Sequence, residues 1–145
     1  MPFGLRGEML QDGGNPGRGM VYGMSARMPR ETLVARLWQA WDDFGIQDAK
    51  MIGYWVPTCP VKTDHPEVLA TAYVKADKTL IALASWAEDP VQCRLDIDWD
   101  ALHLDANEPR LIAPPIENFQ PSAEFSVSDA LAVEPGRGWL LVLSQ

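Results

Sequence analysis

The pattern of hydrophobic and polar positions changes rhythm partway along the chain. Residues 20–55 read as strand, loop, amphipathic helix, strand, the order of elements in an α/β barrel. Met20-Val21-Tyr22-Gly23-Met24 is a short apolar run suited to a strand buried on both faces. Pro29 is tolerated in a first helical turn, and Leu33, Val34, Leu37, Trp38, Trp41 and Phe44 then recur at helical spacing. Glu31, Arg36, Gln39, Asp42 and Asp43 take the opposite face and Gly45 supplies the stop, which predicts a helix over 30–44. A stripe with two tryptophans and a phenylalanine needs a sheet or another subunit to cover it. Residues 51–56 follow as a short strand or extended link, and 57–67, rich in proline and polar residues, read as a linker.

From Leu69 onward the period shortens to two. Leu69–Lys75 and Thr79–Ala87 flank Ala76-Asp77-Lys78, a hairpin pattern, and the second run is apolar enough for a central strand. Val91, Cys93, Leu95, Ile97 and Trp99 alternate with Gln92, Arg94, Asp96, Asp98 and Asp100, which predicts one strand with a core face and a water face. Further strands are expected at 110–113 and 123–127, and a last hairpin joining Ala130–Val133 to Trp139–Leu143. Six to eight short strands with frequent turns suit an antiparallel sandwich. One βα unit cannot bury its own sheet, so the expected fold class is α+β, mainly β. Residues 1–56 are the end of an α/β (TIM-type) barrel, 57–67 a linker, and 68–145 an antiparallel β-sandwich. This reading places the natural start of the protein upstream of Met1 and most of any catalytic centre outside these residues.

Charge narrows the partners. The 145 residues carry a net charge of -8, and beyond Lys78 only Arg94, Arg110 and Arg137 oppose a long series of acids. Phosphate binding needs clustered Lys and Arg, so nucleic acid and anionic membrane surfaces are excluded as partners. No apolar run approaches the ~20 residues of a membrane-spanning helix. Met1–Leu10 lacks the basic-then-apolar pattern of a signal peptide, and the compartment is not named by these residues. Two cysteines are too few for a disulfide scaffold or a structural zinc site, and Cys59 and Cys93 read as buried free thiols.

Candidate chemistry is sparse. Asp96, Asp98 and Asp100 open like a calcium loop, but Ala101 and Asn107 stand where that loop needs glycine and glutamate, so they read as a solvated face. His65 and His103 have no local partner at ligand spacing. No metal or cofactor site is expected, and no catalytic residue is assigned. In a barrel, the segments following strand ends build the pocket, which makes Glu8, Asp12, Asn15, Arg18 and Arg27 candidate substrate contacts. Of six tryptophans, Trp55, Trp86 and Trp139 are the candidates for stacking on a sugar ring, with burial the competing reading.

Several stretches carry a resemblance. They are 7–16 (Gly-Glu-Met-Leu-Gln-Asp-Gly-Gly-Asn-Pro), Val21-Tyr22-Gly23-Met24, Trp41-Asp42-Asp43-Phe44-Gly45-Ile46, Met51-Ile52-Gly53-Tyr54-Trp55 and Leu80-Ile81-Ala82-Leu83-Ala84-Ser85-Trp86. Together they resemble the C-terminal part of glycoside hydrolase-like proteins related to the family 123 β-N-acetylgalactosaminidases. The resemblance is strongest from Gly7 to Ala87. It implies a catalytic barrel ending near Val56, followed by an accessory β-sandwich that packs on it. That family's catalytic pair is an adjacent Asp-Glu assisted by the substrate's acetamido group. No Asp-Glu dipeptide occurs in this chain, so no catalytic residue carries over. The expected function is therefore that of a C-terminal piece whose partner is the parent's barrel. The alternatives are a stand-alone carbohydrate-binding module and a structural protein-interaction domain.

Overall fold

The computed structural model of the chain describes residues 39–105, 107, 109–116, 120–134 and 138–144. Residues 39–44 are helical (α1), and a 3₁₀ turn follows at Ile46–Asp48. Ten strands come next: β1 Lys50–Ile52, β2 Val61–Thr63, β3 Val68–Val74, β4 Lys78–Ser85, β5 Val91–Cys93, β6 Leu95–Ile97, β7 Arg110–Ala113, β8 Ala123–Phe125, β9 Leu131–Val133 and β10 Gly138–Ser144. A single-turn helix, Trp99–Leu102 (α2), sits between β6 and β7. Six strands form one antiparallel sheet in the order β1-β3-β4-β10-β7-β8, while β2–β6 and β5–β9 form two separate ribbons.

The predicted hairpin forms as β3 and β4, closed by the Lys75 N–H donating to the Lys78 carbonyl at 2.9 Å. Strand β4 is buried from Thr79 to Ser85. Ile81 and Leu83 face the two ribbons, sharing a core with Ala70, Ala72, Leu111, Leu141 and Leu143 of the sheet and Val61, Cys93, Leu131 and Val133 of the ribbons. Leu80, Ala82 and Ala84 face the other way, into a second core with Tyr73, Leu140, Ile116 and Phe44. The architecture is thus a sandwich of sheet and ribbons with α1 laid on the outer face of the sheet.

Of the predicted stripe, Phe44 is buried and Trp41 half-buried against that face, while Leu33, Val34, Leu37 and Trp38, the first part of the helix read over 30–44 and the strand read at 20–24 lie outside the described residues. The helix end is held by charge. The Lys75 ammonium donates to the Phe44 carbonyl at 3.0 Å, and the Lys75 and Lys78 ammonium groups stand 5.4 and 5.1 Å from the Phe44 ring centroid. Cations at a helix C-terminus and over an aromatic face are both favourable. Gly45 adopts φ 79°, the left-handed stop that glycine takes without strain.

Three elements differ from the sequence reading. The alternating run 91–99 is not one strand. It jogs at Arg94 from the β5–β9 ribbon to the β2–β6 ribbon, where the Asp64 carboxylate accepts from the Arg94 N–H at 2.8 Å and the Asp64 N–H donates to the Arg94 carbonyl. Its last members begin α2, because the Asp98 carboxylate caps the Ala101 N–H at 3.1 Å. Second, β9 and β10 do not form a hairpin. β9 pairs with β5 in the ribbon layer, whereas the longer β10 is inserted between β4 and β7. Third, Val61–Thr63, within the stretch read as linker, pairs with Leu95–Ile97, and Lys50–Ile52 pairs antiparallel with Ala72–Val74. Short strands with few apolar residues leave little periodic signal, and their partners are distant in sequence.

One side chain completes the sheet. β7 ends at Ala113 because Pro114 and Pro115 cannot donate to a ladder. Gln120, itself buried, takes the vacated place: its amide NH₂ donates to the Leu140 carbonyl (2.9 Å) and the Pro114 carbonyl (2.7 Å), and its oxygen accepts from the Leu140 N–H (2.8 Å). Replacing it with leucine strands a buried donor and acceptor, at a cost of about 2 kcal/mol. Among the described residues, Thr79 Oγ1 is the buried side-chain oxygen with no partner. Thr79→Val keeps the shape and removes the unmet hydroxyl, so stability should rise by about 1 kcal/mol. Urea midpoints should move in opposite directions for Gln120→Leu and Thr79→Val; a Gln120→Leu midpoint equal to the parent's would contradict the ladder role.

Candidate functional site

Of the three candidate stacking tryptophans, Trp139 and Trp86 lie on opposite sides of the sheet. Trp139 belongs to the ribbon-side core: its Nε1–H donates to the Ala132 carbonyl at 2.9 Å, and its ring meets Phe125 edge-on at 5.3 Å. That side chain ties β10 to β9 across the layers. Trp86 is half-buried at the margin of the opposite core, its backbone N–H donating to the Glu67 carbonyl at 2.8 Å. Trp55 is 55% exposed, the one large hydrophobic residue so exposed among those described. Its ring covers Gly53, where an added Cβ would fall 2.5 Å from the indole, and it meets Tyr54 at 5.3 Å and 88°. Tyr54 in turn donates its backbone N–H to Thr71 Oγ1 at 3.3 Å. The turn after β1 thus displays one indole on a tyrosine, beside the α1 face of the sheet. Sequence reasoning named Trp55 by residue type; its exposure comes from the tight turn at Gly53.

The candidate pocket residues Glu8, Asp12, Asn15, Arg18 and Arg27 lie outside the described residues. Among those described, several of the charged groups hold backbone or strand pairs in place. Asp64 bridges the jog at Arg94, Asp98 caps α2, and Asp96 stands opposite Lys62 in the β2–β6 ribbon. His65 Nδ1 accepts from the Glu67 N–H at 3.2 Å, and His103, at φ 55°, ends α2. No group of three His, Cys, Asp or Glu among the described residues could hold a metal ion. No described helix is long and apolar enough to cross a membrane.

The two cysteines are buried and unbridged. Cys59 donates to the Val61 carbonyl at 3.3 Å and the Ile52 carbonyl at 3.4 Å, linking β1 and β2. The Cys93 thiol is pushed up to about 11, first by burial and then by the Asp64 carboxylate. Burial also pushes the Tyr73 phenol up.

Comparison with known families follows this division of the chain. Residues 34–144 match the model of the glycoside hydrolase 123 C-terminal domain. The chain belongs to the glycoside hydrolase 123 family. Residues 1–29 match the TIM-barrel domain of the same family. No curated protein matches the chain. The glycoside hydrolase 123 chain is therefore a barrel-end segment followed by the family's mainly β C-terminal domain, and the resemblance read from the sequence stands.

The raised Cys93 value sets a sign for alkaline stability. The free thiol ionises near 9 and the folded one near 11, so ionisation favours the unfolded chain as pH rises. The stability held by the neutral thiol is complete below pH 9 and lost as pH climbs through 11. Tyr73 adds in the same direction at higher pH. Urea unfolding between pH 8 and about 11 should show a shallower decline in Cys93→Ala than in the parent; equal declines would contradict this.

Proposed function

We propose that this chain is the C-terminal part of a larger glycoside hydrolase 123 protein, in which the sandwich packs on and supports the catalytic barrel without doing chemistry itself. The match of residues 34–144 to the C-terminal domain, with barrel-domain similarity limited to residues 1–29, carries the reading. Twenty-nine residues hold too little chain for an eight-stranded barrel of about 250 residues. The absence of an Asp-Glu dipeptide supports the accessory role, as does the use of the described carboxylates in caps and turns.

The division between the parts falls, in this reading, before α1 and not near Val56. Strand β1 pairs inside the main sheet and Phe44 fills its outer core, both of which support assigning residues 39–56 to the sandwich. Glu8, Asp12, Asn15, Arg18 and Arg27 all fall within the barrel-matched segment, which supports their assignment as substrate contacts at the barrel's pocket. The exposed Trp55 favours a second reading, a sugar-binding surface on the accessory domain.

The first reading expects no release of nitrophenol from 4-nitrophenyl β-N-acetylgalactosaminide and no retention on immobilised N-acetylgalactosaminyl glycans. Turnover would place a complete active site within these residues and defeat the accessory role. Retention abolished by Trp55→Ala would favour the second.

A further inference from the structure

The strand order divides the main sheet at one strand. β1, β3 and β4 lie on one side of β10, and β7 and β8 on the other, so among the described strands β10 alone joins the two groups. The first group is local and well covered. β3 and β4 are a hairpin, β1 pairs with β3, and Phe44 of α1 lies on Leu80, Ala82 and Ala84. Lys75, beside the hairpin turn, holds the helix end, and Cys59 Sγ bridges the Ile52 and Val61 carbonyls to tie β2 to the same group. Three strands with a helix on one face are about the least that a sheet needs to stand alone. The second group is smaller. β7 and β8 share three residue pairs, with Arg110 and Glu124 3.5 Å apart at the surface. Two strands by themselves are marginal in water.

β10 holds the second group directly. Its Val142, Leu143 and Ser144 pair with Ile112, Leu111 and Arg110, and the Gln120 side chain bonds both polar groups of the Leu140 backbone. Trp139 Nε1 ties the same strand to Ala132 of β9. The other edge of β10 pairs with β4 from Gly138 opposite Ala84 to Ser144 opposite Lys78, far more distant in sequence than β3 is from β4. Closing so long a loop costs entropy that is recovered only when the strand is seated. Seating has a tight point. A Cβ on Gly138 would overlap the Leu83 carbonyl oxygen and stand 2.7 Å from its carbon and 2.9 Å from Ala84 Cα, all of them backbone atoms. We propose that β10 is a closing strand: the half-sheet β1-β3-β4 with α1 holds together without it, and its insertion between β4 and β7 is a separate step that brings β7, β8 and β9 into the sandwich. The closed state is one body around β4, and β10 is where it opens. Opening uncovers Leu140, Leu141 and Leu143, all buried when closed, so water favours the closed form.

The test is hydrogen exchange of the intact chain over a series of urea concentrations too low to unfold it, with Gly138→Val as the variant that blocks seating. In the parent, amides of β7, β8 and β10 are expected to share one opening. That opening should have a lower free energy and a weaker urea dependence than the one that exposes β3 and Gly45, because it uncovers less surface. In Gly138→Val the amides of β7, β8 and β10 should exchange almost without protection, while those of β3 and Gly45 keep slowed exchange. One opening shared by all these amides in the parent would overturn the proposal, whatever the variant does. A Gly138→Val chain with β10 still protected would overturn it as well. So would a variant unprotected throughout, because the half-sheet would then not stand without β10.

Discussion

Burial of β4 on both faces is the constraint from which the rest of the structure follows. A strand whose residues 79–85 are all buried must be covered twice. The ribbons cover Ile81 and Leu83, and α1 with Ile116 covers Leu80, Ala82 and Ala84. Each leucine or isoleucine so enclosed contributes about 1.5 to 3 kcal/mol, which makes the two covers a large source of stability. Neither cover is a regular sheet. The ribbons are two short pairs joined by the jog at Arg94, and the outer cover is a helix end clamped by Lys75 and Lys78.

These irregular covers depend on polar groups placed at the points where regular pairing stops. Gln120 replaces the peptide that Pro114 cannot provide, Asp64 holds the jog, and Asp98 starts α2. In the C-terminal domain of this glycoside hydrolase 123 chain these side chains complete backbone pairing that the strands alone leave open.

Where strong periodic signal and local pairing coincide, the sequence was legible: the β3–β4 hairpin, the central apolar strand β4 and the end of α1, with Trp41 and Phe44 turned to the sheet and Gly45 as the stop. Long-range pairing was not. Alternation from Val91 to Trp99 reports which face is inward, and it does so correctly through the jog, but it carries no information about which strand lies alongside. Likewise Val61–Thr63 has one apolar core residue, and the prolines and polar residues on either side of it read as a linker. The candidate tryptophans were recognisable as aromatic; only the turn at Gly53 distinguishes the exposed Trp55 from Trp139, which spans the layers. The family itself was legible in short stretches of unusual sequence instead of in any periodicity.

Native-state hydrogen exchange of the intact chain tests the central claim, that α1 and the sheet form one cooperative body centred on β4. The Gly45 amide, bonded to the Trp41 and Asp42 carbonyls at 3.0 Å, reports on the helix end, and the amides of Leu80–Ala84 report on the strand. The account predicts that in Phe44→Ala both sets lose protection together. A Gly45 amide that exchanges freely in the parent, while β4 stays protected and Phe44→Ala leaves it so, would contradict it.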